Sequence, residues 1–229
     1  MSGDNMDFIQ HVSGCLGRSE VPSAPTALEL PNDIQHGYLR GASTAKLREI
    51  FVWQARAAGT TVYECAPAAL NDTLLTAMAA LEEGAVLLSE EPLWQEQQTI
   101  EALRKVYDHV QLWDCDKSRE ENIDYAEACA VGIAVAGLAL AETGTVMVES
   151  HKGCGRSVTL LPRTTVFVIP QENIRPRLTQ AMQELDGRSG SGLPSSVNFI
   201  SGASSTADIE LVRVQGVHGP VKIAYIVVG

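Results

Sequence analysis

The sequence is short of positive charge, and that shortage narrows its possible partners. Lys and Arg number 17 against 28 Asp and Glu, giving a formal net charge of -11 and a sequence pI near 4.9. Nucleic-acid surfaces depend on clustered cations to neutralise phosphates, and with neither a basic patch nor aromatic interleaving such a surface is not expected. Grouped cysteine is also absent. Cys15, Cys65, Cys115, Cys129 and Cys154 are odd in number and scattered, with no C-x-x-C, so an iron-sulfur or structural zinc site has little support in this chain. Most of them are expected to be free, buried thiols in a reducing compartment. No G-x-G-x-x-G dinucleotide fingerprint occurs, and the longest apolar run, 128–141, is too short and too rich in Ala and Gly to span a bilayer. The opening residues Met1 to Asn5 carry neither the basic nor the apolar segment of a secretion signal, so a cytoplasmic protein is expected.

What is present is an alternation of strand and helix. At 229 residues, 45% of them hydrophobic, the chain suits one α/β domain, expected over 43–229 and preceded by a short helix and an irregular arm marked by Pro22, Pro25 and Pro31. The patterning predicts a helix from Thr44 to Ala58, a strand from Thr60 to Cys65, a helix over 67–83, a strand at 85–88, a helix over 94–106 and a strand at 110–113. Asp116 or Ser118 opens the next helix. Strand-like runs follow at 144–149, 158–161 and 165–169, then an amphipathic helix over 175–185, a Gly/Ser link at 187–192 and a final buried strand at 221–228. Strict succession of strand and helix implies a largely parallel sheet, here with a β-rich insertion. Trp53, Trp94 and Trp113 read as core or partly buried packing residues.

Polarity is concentrated in two places. Just after a strand-like run at Val197 to Ile200, Ser201, Gly202, Ser204, Ser205, Thr206, Asp208, Glu210 and His218 fall within eighteen residues. A strand that empties into a small, hydroxyl-rich loop presents backbone N–H groups to an anion; the same residues also suit a helix cap over 208–212 and a tight turn at 216–220. His218 is either a turn residue or an acid/base facing Asp208. In the second place, Glu142-Thr143-Gly144-Thr145 reads as a turn needing a special angle at Gly144, or as a base, Glu142, with two hydroxyls on an anionic group. Arg156 offers a planar fork to a carboxylate or phosphate, or pairs with Glu149. Cys154, between Gly153 and Gly155 and beside Lys152 and Arg156, has the neighbouring cations that lower a thiol pKa, but no base partner is assigned to it.

Both blocks resemble one family. S-G-A-S-S-T-A-D-I-E with G-V-H-G-P, over 201–220, and A-E-T-G-T at 141–145 with Arg156 and Leu160-Leu161-Pro162, are similar to the signatures of the LUD-domain family in its lactate utilization protein C branch. The chain departs from the pattern with Ala203 in place of a common proline, Ser205 in place of an arginine and Thr165 in place of a histidine. The resemblance implies a NagB/RpiA/CoA-transferase-like α/β open sheet whose ligands sit outside the C-terminal ends of strands. In this context the candidate catalytic residues are Glu142, Asp208 and His218, and the candidate substrate-binding residues are Thr143, Gly144, Thr145, Arg156, Ser201, Gly202, Ser204, Ser205 and Thr206. The resemblance also implies support of L-lactate oxidation to pyruvate with iron-sulfur clusters on cysteine-rich partner subunits, and a chain with neither grouped cysteines nor a dinucleotide loop is expected to hold no cofactor or metal of its own. Two other functions stay open: a stand-alone enzyme acting on an anionic metabolite, and a non-catalytic sensor of organic acids.

Overall fold

The computed structural model describes residues 3–21, 32–188, 192–207, 212 and 214–229, in two units, 1–34 and 35–229. The first unit contains helix α1 (Gly3–Cys15), and a one-turn helix, α2 (Ile34–Gly37), follows in the chain. The second is built on a six-stranded sheet of β1 (Thr61–Cys65), β2 (Val86–Leu88), β3 (Val110–Leu112), β4 (Val131–Val135), β7 (Thr164–Pro170) and β12 (Lys222–Val228), in the order β1-β12-β7-β4-β2-β3. Every pairing in it is parallel. A smaller sheet, ordered β8-β5-β6-β9, consists of β5 (Leu138–Leu140), β6 (Thr145–Glu149), β8 (Ile174–Arg175) and β9 (Val197–Ile200). Of the runs expected to form the β-rich insertion, 144–149 lies in this sheet as β6, whereas 165–169 is β7, inside the parallel sheet. A two-stranded ribbon, β10 (Ser205–Thr206) with β11 (Val214–Gln215), precedes the last strand.

Both faces of the parallel sheet are covered, so its strands are apolar on both sides. In β12, Ile223, Tyr225 and Val227 enter one core while Ala224, Ile226 and Val228 enter the other, the period-two division of a buried strand. The first core includes Phe51 and Val52 of α3 (Thr44–Ala57), and Tyr225 stacks on Phe51 at 5.6 Å and meets Phe167 edge-on at 6.0 Å. The second is closed by Leu70, Leu74 and Met78 of α4 (Leu70–Ala79), with Trp94 of α5 (Pro92–Glu96) and Leu103 of α6 (Thr99–Arg104).

The differences from expectation are local. The helix expected over 94–106 is two, α5 and α6, because Gln98 takes a left-handed backbone, φ 52°, between them. The helix over 67–83 is a 3₁₀ turn followed by α4. Val158 to Leu161, β-branched enough to read as a strand, lies mostly in the one-turn helix α8 (Ser157–Leu160). The helix over 175–185 begins late, as α9 (Leu178–Gly187), since Pro176 holds Arg175 extended in β8. Ser43 caps α3 by accepting from the Lys46 N–H. Ser118 caps α7 (Arg119–Ala128) through a capping box with Glu121. Trp94 is buried and Trp113 half-buried, whereas Trp53 is 65% exposed and packs in no core.

Candidate functional site

The strand order places a crevice between β2 and β4. From β2 the chain moves outward to the edge strand β3, while from β4 it moves the other way through β7 and β12, so the connections leaving these neighbours diverge. Ligands of open α/β sheets bind at such a switch point, outside the C-terminal ends of the strands. Here the ends are Ser89 to Glu91 after β2 and Ala136-Gly137 after β4, and Glu91, Ala136 and Gly137 all line a cavity of about 540 Å³. Buried Trp94 fixes the turn after β2 by donating its indole N–H to the Ser89 carbonyl at 2.7 Å.

A tight loop from His151 to Cys154 closes over that turn. His151 and Cys154 exchange backbone hydrogen bonds of 3.1 and 3.0 Å, and the Gly153 carbonyl accepts from the Glu90 N–H at 2.6 Å. The loop aims the imidazole: Gly153 N–H donates to His151 Nδ1 at 3.1 Å, and Nε2 lies 3.2 Å from Glu91 Oε1. Neutral His151 therefore carries its proton on Nε2, toward the carboxylate. Burial pushes the Glu91 carboxyl above 4.5, opposed by the attraction of His151. With Glu91 20% exposed, its carboxyl can take up or release a proton at the mouth of the crevice, oriented by the His151 imidazole. Cys154 is not activated beside them; burial, and then the Glu91 charge, push its thiol up to about 12, overriding the flanking cations.

His151 and Cys154 also border a second cavity, a groove of about 690 Å³. Four of the 17 Lys and Arg residues line it, Lys117, Arg119, Lys152 and Arg156, and its described lining contains no carboxylate. None of the four has a carboxylate partner within 4.0 Å among the described residues. Glu149, the alternative partner of Arg156, is held by both terminal guanidinium nitrogens of Arg188 instead. The crevice is different: its Arg175 and Arg188 are engaged with Glu184 and Glu149. Positive potential is thus concentrated in the groove.

The remaining residues proposed from sequence lie elsewhere. Thr143, Thr145 and Ser201 do come together, in a chain of hydroxyls with 2.6 Å between Thr143 and Thr145 and 2.6 Å between Thr145 and Ser201. Arg156 is not with them. Gly202 lies beside Thr60, which precedes β1, whereas Arg156 follows the loop beyond the C-terminal end of β2, so the two blocks occupy opposite ends of the parallel sheet. Glu142 accepts two 3.0 Å hydrogen bonds from Arg177, whose guanidinium stands over the Tyr38 ring. Gly144 has φ +62° and presses on the backbone of α3. The N–H of Gly202 meets the Tyr225 hydroxyl and that of Ser204 meets the Pro220 carbonyl, while Ser205 and Thr206 pair with β11; these groups are engaged within the chain. His218 is exposed on the loop entering β12, and Asp208 lies outside the described residues.

Comparison with known proteins gives the arrangement its family. The LUD domain model matches residues 48–228. Lactate utilization protein C of Bacillus subtilis (strain 168) is 36% identical over 227 residues, 96% of this chain and 94% of that protein, and the protein of the same name from Geobacillus sp. (strain WCH70) matches to the same extent. The chain belongs to the LUD domain family. A crystal structure of a DUF162 family protein from Deinococcus radiodurans shares the fold, with a TM-score of 0.57 at 17% identity, covering 82% of this LUD chain and 99% of that one. Among the described residues of the LUD chain no helix is long and apolar enough to cross a membrane, and no group of three or more His, Cys, Asp or Glu is arranged to hold a metal ion.

Glu91 and His151 were not reached from sequence. Their signal is faint: both follow strands in polar runs, S-E-E-P and E-S-H-K-G-C-G-R, but they are sixty positions apart and meet only because β2 ends where the His151 loop descends.

Proposed function

We propose that this chain serves in lactate utilization, as a subunit that binds an organic anion and supports oxidation of L-lactate to pyruvate by cysteine-rich iron-sulfur partners. The role follows from relatives named lactate utilization protein C that match over 94% of their length. The anion site rests on one observation, the groove of Lys117, Arg119, Lys152 and Arg156 with no carboxylate in its described lining, in a chain of net charge -11. A carboxylate entering it meets cations that have no carboxylate partner, with Glu91, held by His151, at the border to exchange a proton. The electrons of lactate oxidation would leave through clusters on the partners, as this chain offers no grouped cysteines to hold one.

Replacing Arg156 by Ala should weaken binding of L-lactate or pyruvate by roughly 1 to 3 kcal/mol, the range for a lost hydrogen bond to a charged group, with the fold intact. Calorimetric titration of both proteins checks this; equal affinities would remove Arg156 from the site. Copurification with cysteine-rich subunits tests the assembly. The Glu91–His151 pair favours a second reading, a stand-alone enzyme on an anionic metabolite, for which turnover of a thioester or sugar phosphate by the isolated chain is the decisive assay.

A further inference from the structure

The groove that would hold the organic anion is larger, more charged and more apolar than a small hydroxy acid requires. At about 690 Å³ it falls within the range of cavities that enclose cofactor-sized molecules. Its cations exceed the demand of one carboxylate. Between them lie Ile123, Leu160, Leu161 and the half-buried indole of Trp113, surfaces that a small acid does not need and a ring does. Trp113 is held in place: its backbone N–H donates to the Leu88 carbonyl at 2.7 Å, and Gly155 lies so close to the benzo edge that a Cβ there would collide with Cζ2 and Cη2. Rigid aromatic surface beside unpaired guanidinium and ammonium groups suits a flat ring joined to phosphates.

We propose that the groove binds a phosphorylated, ring-bearing molecule of nucleotide size, with its ring against Trp113 and its phosphates on Arg119, Lys152 and Arg156. The proposal rests on the reading of the groove as an anion site and names its ligand class. Because the groove shares His151 with the crevice, a nucleotide lying in it places its outer end beside the Glu91–His151 pair.

The test uses the full chain and ADP, AMP, adenosine and L-lactate as probes, titrated by calorimetry at low and moderate salt and followed by tryptophan fluorescence. ADP should bind more tightly than AMP, and AMP more tightly than adenosine, with affinity falling as salt rises. The double variant Arg119→Ala/Lys152→Ala should lose roughly tenfold or more in ADP affinity, with an unchanged unfolding curve. Trp113→Phe should abolish the fluorescence change while leaving binding measurable. Lactate binding without ADP binding overturns the nucleotide proposal and leaves the organic-anion reading standing, whereas failure of every probe overturns both. ADP affinity equal in wild type and double variant also overturns the proposal. So does a poly-glutamate peptide that binds where ADP does not, because the groove would then be a docking surface for an acidic protein segment.

Discussion

At Gly144, a position that reads from sequence as either a turn or part of a binding motif, the structure supplies a packing reason. An added Cβ would lie 2.5 to 2.9 Å from Ala55 N, Ala55 Cα and Gln54 C in α3, at a φ of +62°. Helix backbone cannot give way as a side-chain tip can, and an L-residue is strained at that angle. Gly144→Ala should destabilise the protein by about 2 kcal/mol or more, seen as a lower urea midpoint with an unchanged slope; wild-type stability would show that the turn does not seat on α3. Ser201 is the companion case. It closes the hydroxyl chain through Thr145, which is buried, so Ser201→Ala should cost about 1 kcal/mol in the same assay. Both motif residues were visible in sequence, but their roles were not, since a Thr, Ser or Gly in a turn has the same appearance whether it meets a ligand or a neighbouring element.

At the scale of elements, α7 connects stability to the groove. Its N-cap, Ser118, accepts from Glu121 N–H at 3.2 Å and Glu121 reaches back to Ser118 N–H at 2.9 Å, while Asn122 is tied to the Asp114 carbonyl at 2.8 Å. Arg119 and Asn122, which line the groove, sit in this first turn. Ser118→Ala should cost about 1 kcal/mol of stability and also weaken anion binding, because it loosens the turn that carries Arg119. Unfolding measurements and titration on the one variant check both; a loss of stability with unaltered binding would separate the cap from the site. The start of α7 was legible only as Asp116 or Ser118, and the parallel sheet as alternating apolar runs and amphipathic helices. The run 128–141 was harder. Strands buried on both faces show no alternation, so β4 and β5 merged into one uncharged stretch. The crevice was harder still, because Glu91, Gly137 and His151 meet through strand order, which no local pattern encodes.

For the whole molecule, the buried titratable groups shape its response to pH. Burial pushes the Cys129 thiol up to about 11 from 9.0, Cys154 up to about 12 from 9.0, and the Tyr125 and Tyr225 hydroxyls up to about 12 from 10.0. Each group holds its proton more tightly folded than unfolded, so between the two pKa values the native state binds more protons and stability falls as pH rises. The loss should begin near pH 9, deepen as the phenols of the unfolded chain ionise above 10, and level off near 12. Deprotonating lysines in a chain already at -11 adds repulsion of the same sign, but that part is screened by salt and the burial part is not. Denaturant unfolding at pH 7.5, 9.0 and 10.5, each at low and high salt, distinguishes the two. We expect a decline that persists at high salt and becomes shallower in Cys154→Ala, which removes one of the buried groups. Stability that is flat between pH 7.5 and 10.5 at high salt would show that these thiols and phenols ionise as readily in the folded protein as in the unfolded chain, and hence that the core around Cys154, at the border of crevice and groove, is open to water.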